Sequence, residues 1–197
     1  PQTERALLEK SASLFNSSPT IGSTIADAKV KIEDWTNKAV VVKKEITSTY
    51  RNPSLIFSLV LHHMAFTRSR EGVPSDPNKF LKTGAHFCIL KDGRIIQLHS
   101  ISRMIWHAQC LSPLSVSVEF EGNFPNINGK WWKEKDAKYY QKNIPSKEQY
   151  ESGKFLIQYL KTVIGIRNIN AHRQSSNQRT NDPGPHIWKN VGEWAIQ

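Results

Sequence analysis

Cysteine is nearly absent from this chain: Cys88 and Cys110 are the only two in 197 residues. Two are too few for a disulfide scaffold, and their spacing excludes a C-x-x-C zinc or redox motif. Cys88 lies in a strand-like stretch, where a small core residue is expected. The sequence leaves open whether it bridges to Cys110. Long apolar runs are missing too. None approaches the roughly 20 residues a membrane-spanning helix needs, so no membrane insertion is expected. No internal repeat or low-complexity tract is visible, which favours one domain over an array. The opening Pro1-Gln2-Thr3-Glu4-Arg5 carries neither an initiator Met nor an export signal, so a trimmed or processed chain is expected.

Acidic residues are in deficit. Against 27 Lys and Arg stand 17 Asp and Glu, for a net charge of +10. Such a surface suits an anionic partner: nucleic acid, a membrane surface or an acidic wall polymer. The basic residues are scattered, which weakens the nucleic-acid reading. With 38% hydrophobic and 22% charged residues, the chain suits a soluble domain with a real core.

Thr3 to Phe15 follows helical spacing, and a second helix is considered between Ile21 and Trp35. Residues 1–37 are therefore expected to form an accessory helical segment against a domain spanning 38–197. Lys38 to Ile46 reads as a strand. Leu55 to His62 is apolar on both faces, the pattern of a central buried strand. Thr67 to Asn78 reads as a loop, with a short helix at Asn78 to Lys82. Gly84–Leu90 and Arg94–Leu98, joined by Lys91-Asp92-Gly93, predict a hairpin. Ser115 to Glu121 alternates, with Ser115, Ser117, Glu119 and Glu121 on one face. A carboxylate on that polar face is well placed to point into a cleft. Ser146 and Gln149 form a capping box ahead of a helix that ends near Gly165. Alternating strands and helices predict an α/β domain with a mixed central sheet flanked by helices.

The stretch from His172 to Asp182-Pro183-Gly184-Pro185 sets a histidine ten positions before an aspartate held in a turn. Imidazole and carboxylate both ligate zinc, and a catalytic zinc takes three protein ligands and a water. His62, at the end of an apolar strand, is the third candidate. His63 is its rival, since alternation sends the two to opposite faces. Asp182 also suits a plain Asx turn.

Five segments in this order resemble the zinc-dependent N-acetylmuramoyl-L-alanine amidases of the peptidoglycan-recognition-protein-like superfamily. They are Leu59-Val60-Leu61-His62-His63, Ala85 to Gly93, Trp106-His107-Ala108, Ser115 to Gly122, and His172 to Pro185. The resemblance implies a zinc in a surface groove, held by His62, His172 and Asp182. It puts the catalytic glutamate on Glu119, with Glu121 on the same face as the alternative. It implies a peptidoglycan or muropeptide substrate rather than nucleic acid, and a bacterial envelope or exported setting. Trp106, His107, His86, Arg179 and Thr180 are the expected substrate contacts. Thr180 departs from the family, many of whose enzymes carry lysine two residues before the aspartate. Arg179, His86, His107, zinc or backbone N–H groups would have to steady the carbonyl oxygen instead. The aromatic and basic insertion at Trp131, Trp132, Tyr139 and Tyr140 suits either the groove wall or loop packing on the body.

Overall fold

The computed structural model describes residues 30–41, 46–67, 74–131 and 143–197. The expected helix at Thr3–Phe15 and the aromatics Trp132, Tyr139 and Tyr140 lie outside these residues. The strands are β1 (Ile32–Asp34), β2 (Ile46–Tyr50), β3 (Ser58–His63), β4 (Phe87–Ile89), β5 (Ile95–Gln97), β6 (Arg103–Ile105), β7 (Ser115–Phe120) and β8 (Asn168–Ala171). Among the described residues one long helix, α1 (Lys147–Ile164), precedes β8, and helical pieces run from Pro185 to Ile196.

The apolar run ending at His62 becomes the centre of the sheet. β3 is buried throughout because parallel strands flank it on both sides, β7 and β8. The order is β1-β5-β4-β7-β3-β8, with the β4–β5 hairpin antiparallel and β1 parallel to β5. β2 and β6 form a separate antiparallel pair. This is the mixed α/β sheet read from the sequence. Asp92-Gly93 makes the expected turn, with Gly93 at φ 85°, a left-handed conformation that favours glycine.

Side-chain alternation gives the sheet two different faces. Leu59, Leu61, Val116, Val118 and Phe120 point to one face, where they meet Leu156, Ile157 and Leu160 of α1 and Ile187 and Val191 of the C-terminal helical pieces. A Cβ on Gly153 would fall 2.9 Å from both Phe120 and Val191, so glycine lets α1 approach β7 closely. The capping box is formed: Ser146 Oγ accepts from the Gln149 N–H, and Gln149 Oε1 accepts from the Ser146 N–H. A smaller cluster of Phe80, Cys88, Leu90, Ile96 and Leu98 covers part of the opposite face. Cys88 is buried and Cys110 exposed, and both are free thiols.

Two local expectations change. Ile32–Asp34, inside the segment considered as a helix, is a strand hydrogen-bonded to Ile95–Gln97. Its conformation is set by a partner over sixty positions away, which local periodicity cannot register. Ile32–Asp34 therefore supplies an edge strand to the main sheet. Of the strand expected at Lys38–Ile46, residues 38–41 are not strand and 42–45 lie outside the described residues, while Ile46–Tyr50 forms a strand paired with β6.

Arg51 fastens the β2–β6 pair to the main sheet. Its guanidinium donates to the carbonyls of Ile101, Ser112 and Ser115 at 2.7–3.0 Å. Burial pushes its pKa down to about 10, so it stays charged at neutral pH. Arg51→Met should leave these carbonyls without a donor and lower the unfolding free energy in urea by about 3 kcal/mol or more. His99 is a second stability determinant. Burial, aided by the charge of Arg103, lowers its pKa from 6.5 to about 4. The unfolded chain therefore binds more protons between these values, and the stability present above pH 6.5 is lost as pH falls toward 4. We expect His99→Gln to flatten this acid-side slope by about 1–2 kcal/mol in denaturant titrations at a series of pH values.

Candidate metal centre

The carboxyl ends of three parallel strands build the centre, the usual place for a site in an open α/β sheet. His62 is near the end of β3 and pairs in register with Glu119 near the end of β7. β8 ends at Ala171, directly before His172. The chain then loops outward and returns at Asp182. The Arg173 N–H bonds the Asp182 carbonyl at 2.8 Å, and the Asp182 N–H bonds the Arg179 carbonyl at 3.0 Å. The Arg173 guanidinium also donates to the Pro183 carbonyl at 2.8 Å.

His62, His172 and Asp182 meet. His62 Nδ1 lies 3.0 Å from His172 Nδ1, and Asp182 Oδ2 lies 2.7 Å from His172 Nδ1 and 3.5 Å from His62 Nδ1. Zinc bonds of about 2.0–2.1 Å in a tetrahedron give ligand–ligand edges of roughly 3.3–3.4 Å. The three separations straddle that value, and two imidazole nitrogens with one carboxylate oxygen are donors that zinc accepts. These residues could hold a metal ion. Their protonation suits the role. Burial lowers the pKa of His62, so its ring is neutral at pH 7. Burial alone would raise Asp182, but its hydrogen bond with His172 outweighs that and holds the carboxyl below the ordinary range.

The sequence alternatives separate. The His63 ring turns toward Phe124, 5.6 Å between centroids, while its backbone N–H donates to Asp182 Oδ1 at 2.8 Å. His63 thus steadies the Asp182 carboxylate through its backbone while His62 brings its imidazole to the cluster. Glu121 is buried and accepts from Thr67 Oγ1, Ser75 Oγ and the Lys91 N–H at 2.7–3.0 Å. Glu119 lines the open groove beside His62 and His172.

This groove has a volume of about 470 Å³. Trp106, His107 and Arg179, expected at the substrate, line it. His86 does not. It is wholly buried, with Ser117, Arg51 and the Arg103 carbonyl around its ring nitrogens at 2.9–3.1 Å. Thr180 is exposed and also absent from the lining, while neighbouring Arg179 reaches it. Sequence reasoning missed Lys79 and Lys82, which add positive charge to the wall from the turn at Pro77–Phe80. The signal for them was the Asp76-Pro77 helix start, which sets both lysines on one short stretch.

The fold and these side chains define an α/β domain with a His-His-Asp centre at the carboxyl ends of parallel strands. The family model described as N-acetylmuramoyl-L-alanine amidase, Amidase_2, matches residues 52–185, and the chain belongs to this family. Solved structures agree on the fold. The endolysin amidase LysCS from Clostridium intestinale is 19% identical with a TM-score of 0.55, over 85% of this chain and 97% of that one. Drosophila PGRP-LB is 15% identical with a TM-score of 0.58, over 85% and 96%. A mutant of PGRP-LB in complex with tracheal cytotoxin is 17% identical with a TM-score of 0.55, over 83% and 94%. A search of curated protein sequences gave no match.

Proposed function

We propose that this protein is a zinc hydrolase that cleaves the amide between N-acetylmuramic acid and L-alanine in peptidoglycan or its muropeptides. The observation that carries this is the convergence of His62, His172 and Asp182 beside Glu119 in one groove of an amidase-family domain. One zinc per chain, held by these three residues, would supply Lewis acidity and lower the pKa of a water. Glu119 is the general base: it takes a proton from the attacking water and returns it to the leaving alanine nitrogen. Trp106, about half exposed at the groove wall, offers a face for a sugar ring or the peptide stem. Lys79, Lys82 and Arg179 attract the carboxylates of the stem, and Arg179, in place of the family lysine, steadies the carbonyl oxygen.

The net charge of +10 would draw the domain to a polyanionic wall, with an association that weakens in salt. A wall-acting setting, periplasmic, exported or phage-like, fits the endolysin and recognition-protein neighbours. No helix among the described residues is long and apolar enough to cross a membrane. The cytotoxin complex of one neighbour supports a muropeptide ligand for this groove. Mass spectrometry of a digested, chemically defined muropeptide tests the reading. A free stem peptide with a new L-alanine amino terminus and an intact sugar is expected. Binding without cleavage would instead identify a non-catalytic peptidoglycan-binding module.

A further inference from the structure

We infer that His107 is a positioning residue: with Ser115 it fixes which nitrogen of His62 carries the proton, and so turns the His62 Nδ1 lone pair toward His172 and Asp182. Four groups form a chain. His62 Nε2 lies 3.0 Å from His107 Nδ1, His107 Nε2 lies 3.2 Å from Ser115 Oγ, and Ser115 Oγ lies 2.6 Å from the Leu111 carbonyl.

The far end sets the direction. A carbonyl only accepts, so the single Ser115 hydroxyl proton goes to Leu111. Ser115 Oγ then faces His107 with lone pairs, and His107 Nε2 must donate. Among the described residues the ring nitrogens of His107 meet only His62 and Ser115, with no carboxylate to balance a charge, so the ring is neutral. A neutral ring protonated at Nε2 has a bare Nδ1, which accepts from His62 Nε2. A ligating imidazole must present one bare nitrogen, and with Nε2 donating to His107 that nitrogen is Nδ1. His62 Nδ1 then faces His172 Nδ1 at 3.0 Å and Asp182 Oδ2 at 3.5 Å, the other two donors of the centre.

The backbone holds the relay in place. Ser115 is wholly buried at the start of β7, and Ser112 Oγ accepts from the His107 and Ala108 N–H groups at 3.1 and 2.9 Å. Outer partners that orient a ligating histidine typically change metal affinity 10- to 100-fold when removed. His107 therefore acts through His62, although its ring also borders the groove.

The proposal rests on the metal-centre reading, but its first test needs no metal. Long-range 1H–15N correlation spectra of the wild-type, zinc-free protein near neutral pH should show His62 protonated at Nε2 and bare at Nδ1. Protonation at Nδ1 would overturn the relay and leave the metal centre standing. The expected tautomer in a chain that takes up no zinc would support the relay and overturn the metal reading. In the second test, His107→Ala should bind zinc about 10- to 100-fold more weakly in competition with a chromophoric chelator. His107→Asn, whose amide oxygen can stand in for Nδ1, should recover most of that loss. Zinc affinity equal to wild type in His107→Ala would overturn the proposal.

Discussion

Glu119→Gln is expected to lower kcat on a muramyl–alanine amide by about a hundred- to ten-thousand-fold while the protein still takes up one zinc. Glutamine keeps the size of the side chain and a hydrogen-bonding oxygen but cannot take a proton from water near neutral pH. Glu119 is on the His62 side of β7, one strand away from β3 and in register with the histidine. It is outside the His-His-Asp cluster, so the loss should fall on the chemical step rather than on metal content. Glu121→Gln makes the control. Glu121 accepts from Thr67, Ser75 and Lys91 in the interior, so its replacement should lower stability. Zinc assay, kcat and urea midpoint, measured together on both variants, separate the two carboxylates. A Glu119→Gln enzyme with wild-type kcat would remove Glu119 from the chemistry.

His172→Ala should abolish both metal uptake and cleavage. It deletes one of the three proposed ligands and also the 2.7 Å hydrogen bond to Asp182. On the proposed function zinc would bind the folded chain, and added zinc at a hundred times its Kd should then stabilise the wild type by about 2.7 kcal/mol. The variant should show none of this. The comparison is internal to each protein, so a general loss of stability in His172→Ala does not confuse it. A variant stabilised by zinc as strongly as the wild type would place the ion elsewhere.

Local signals carried much of the fold. Asp92-Gly93 specified its turn because the left-handed glycine sits in the two-strand pattern that surrounds it. Ser146 and Gln149 marked the start of α1 by satisfying each other's backbone N–H groups. The apolar run at Leu55–Leu61 announced a strand flanked on both sides. The short strand Ile32–Asp34 was not legible, because three residues have no period and its partner is distant in sequence.

The same division holds at the centre. His62, His172 and Asp182 stood out as donor types at suggestive spacing. The motif resemblance favoured His62 over His63, but its physical reason, that Leu59 and Leu61 put His63 on the helix-covered face of β3, is visible only in three dimensions. The resemblance favoured Glu119 over Glu121, but the interior partners that occupy Glu121, Thr67 and Ser75, lie 54 and 46 positions away and were not legible. His86 looked like a groove residue by its motif. Its burial by Arg51 and Ser117 comes from β2 and β7 closing around it.

The most direct measurement couples metal to bond cleavage in one sample. A defined muropeptide is incubated with the protein as purified, after exhaustive chelation, and after one equivalent of zinc is restored, and the products are weighed by mass spectrometry. Release of the stem peptide should stop on chelation and return with zinc. Undiminished release from the chelated chain, or none from a zinc-loaded chain that still binds the muropeptide, would contradict a His62–His172–Asp182 metal hydrolase.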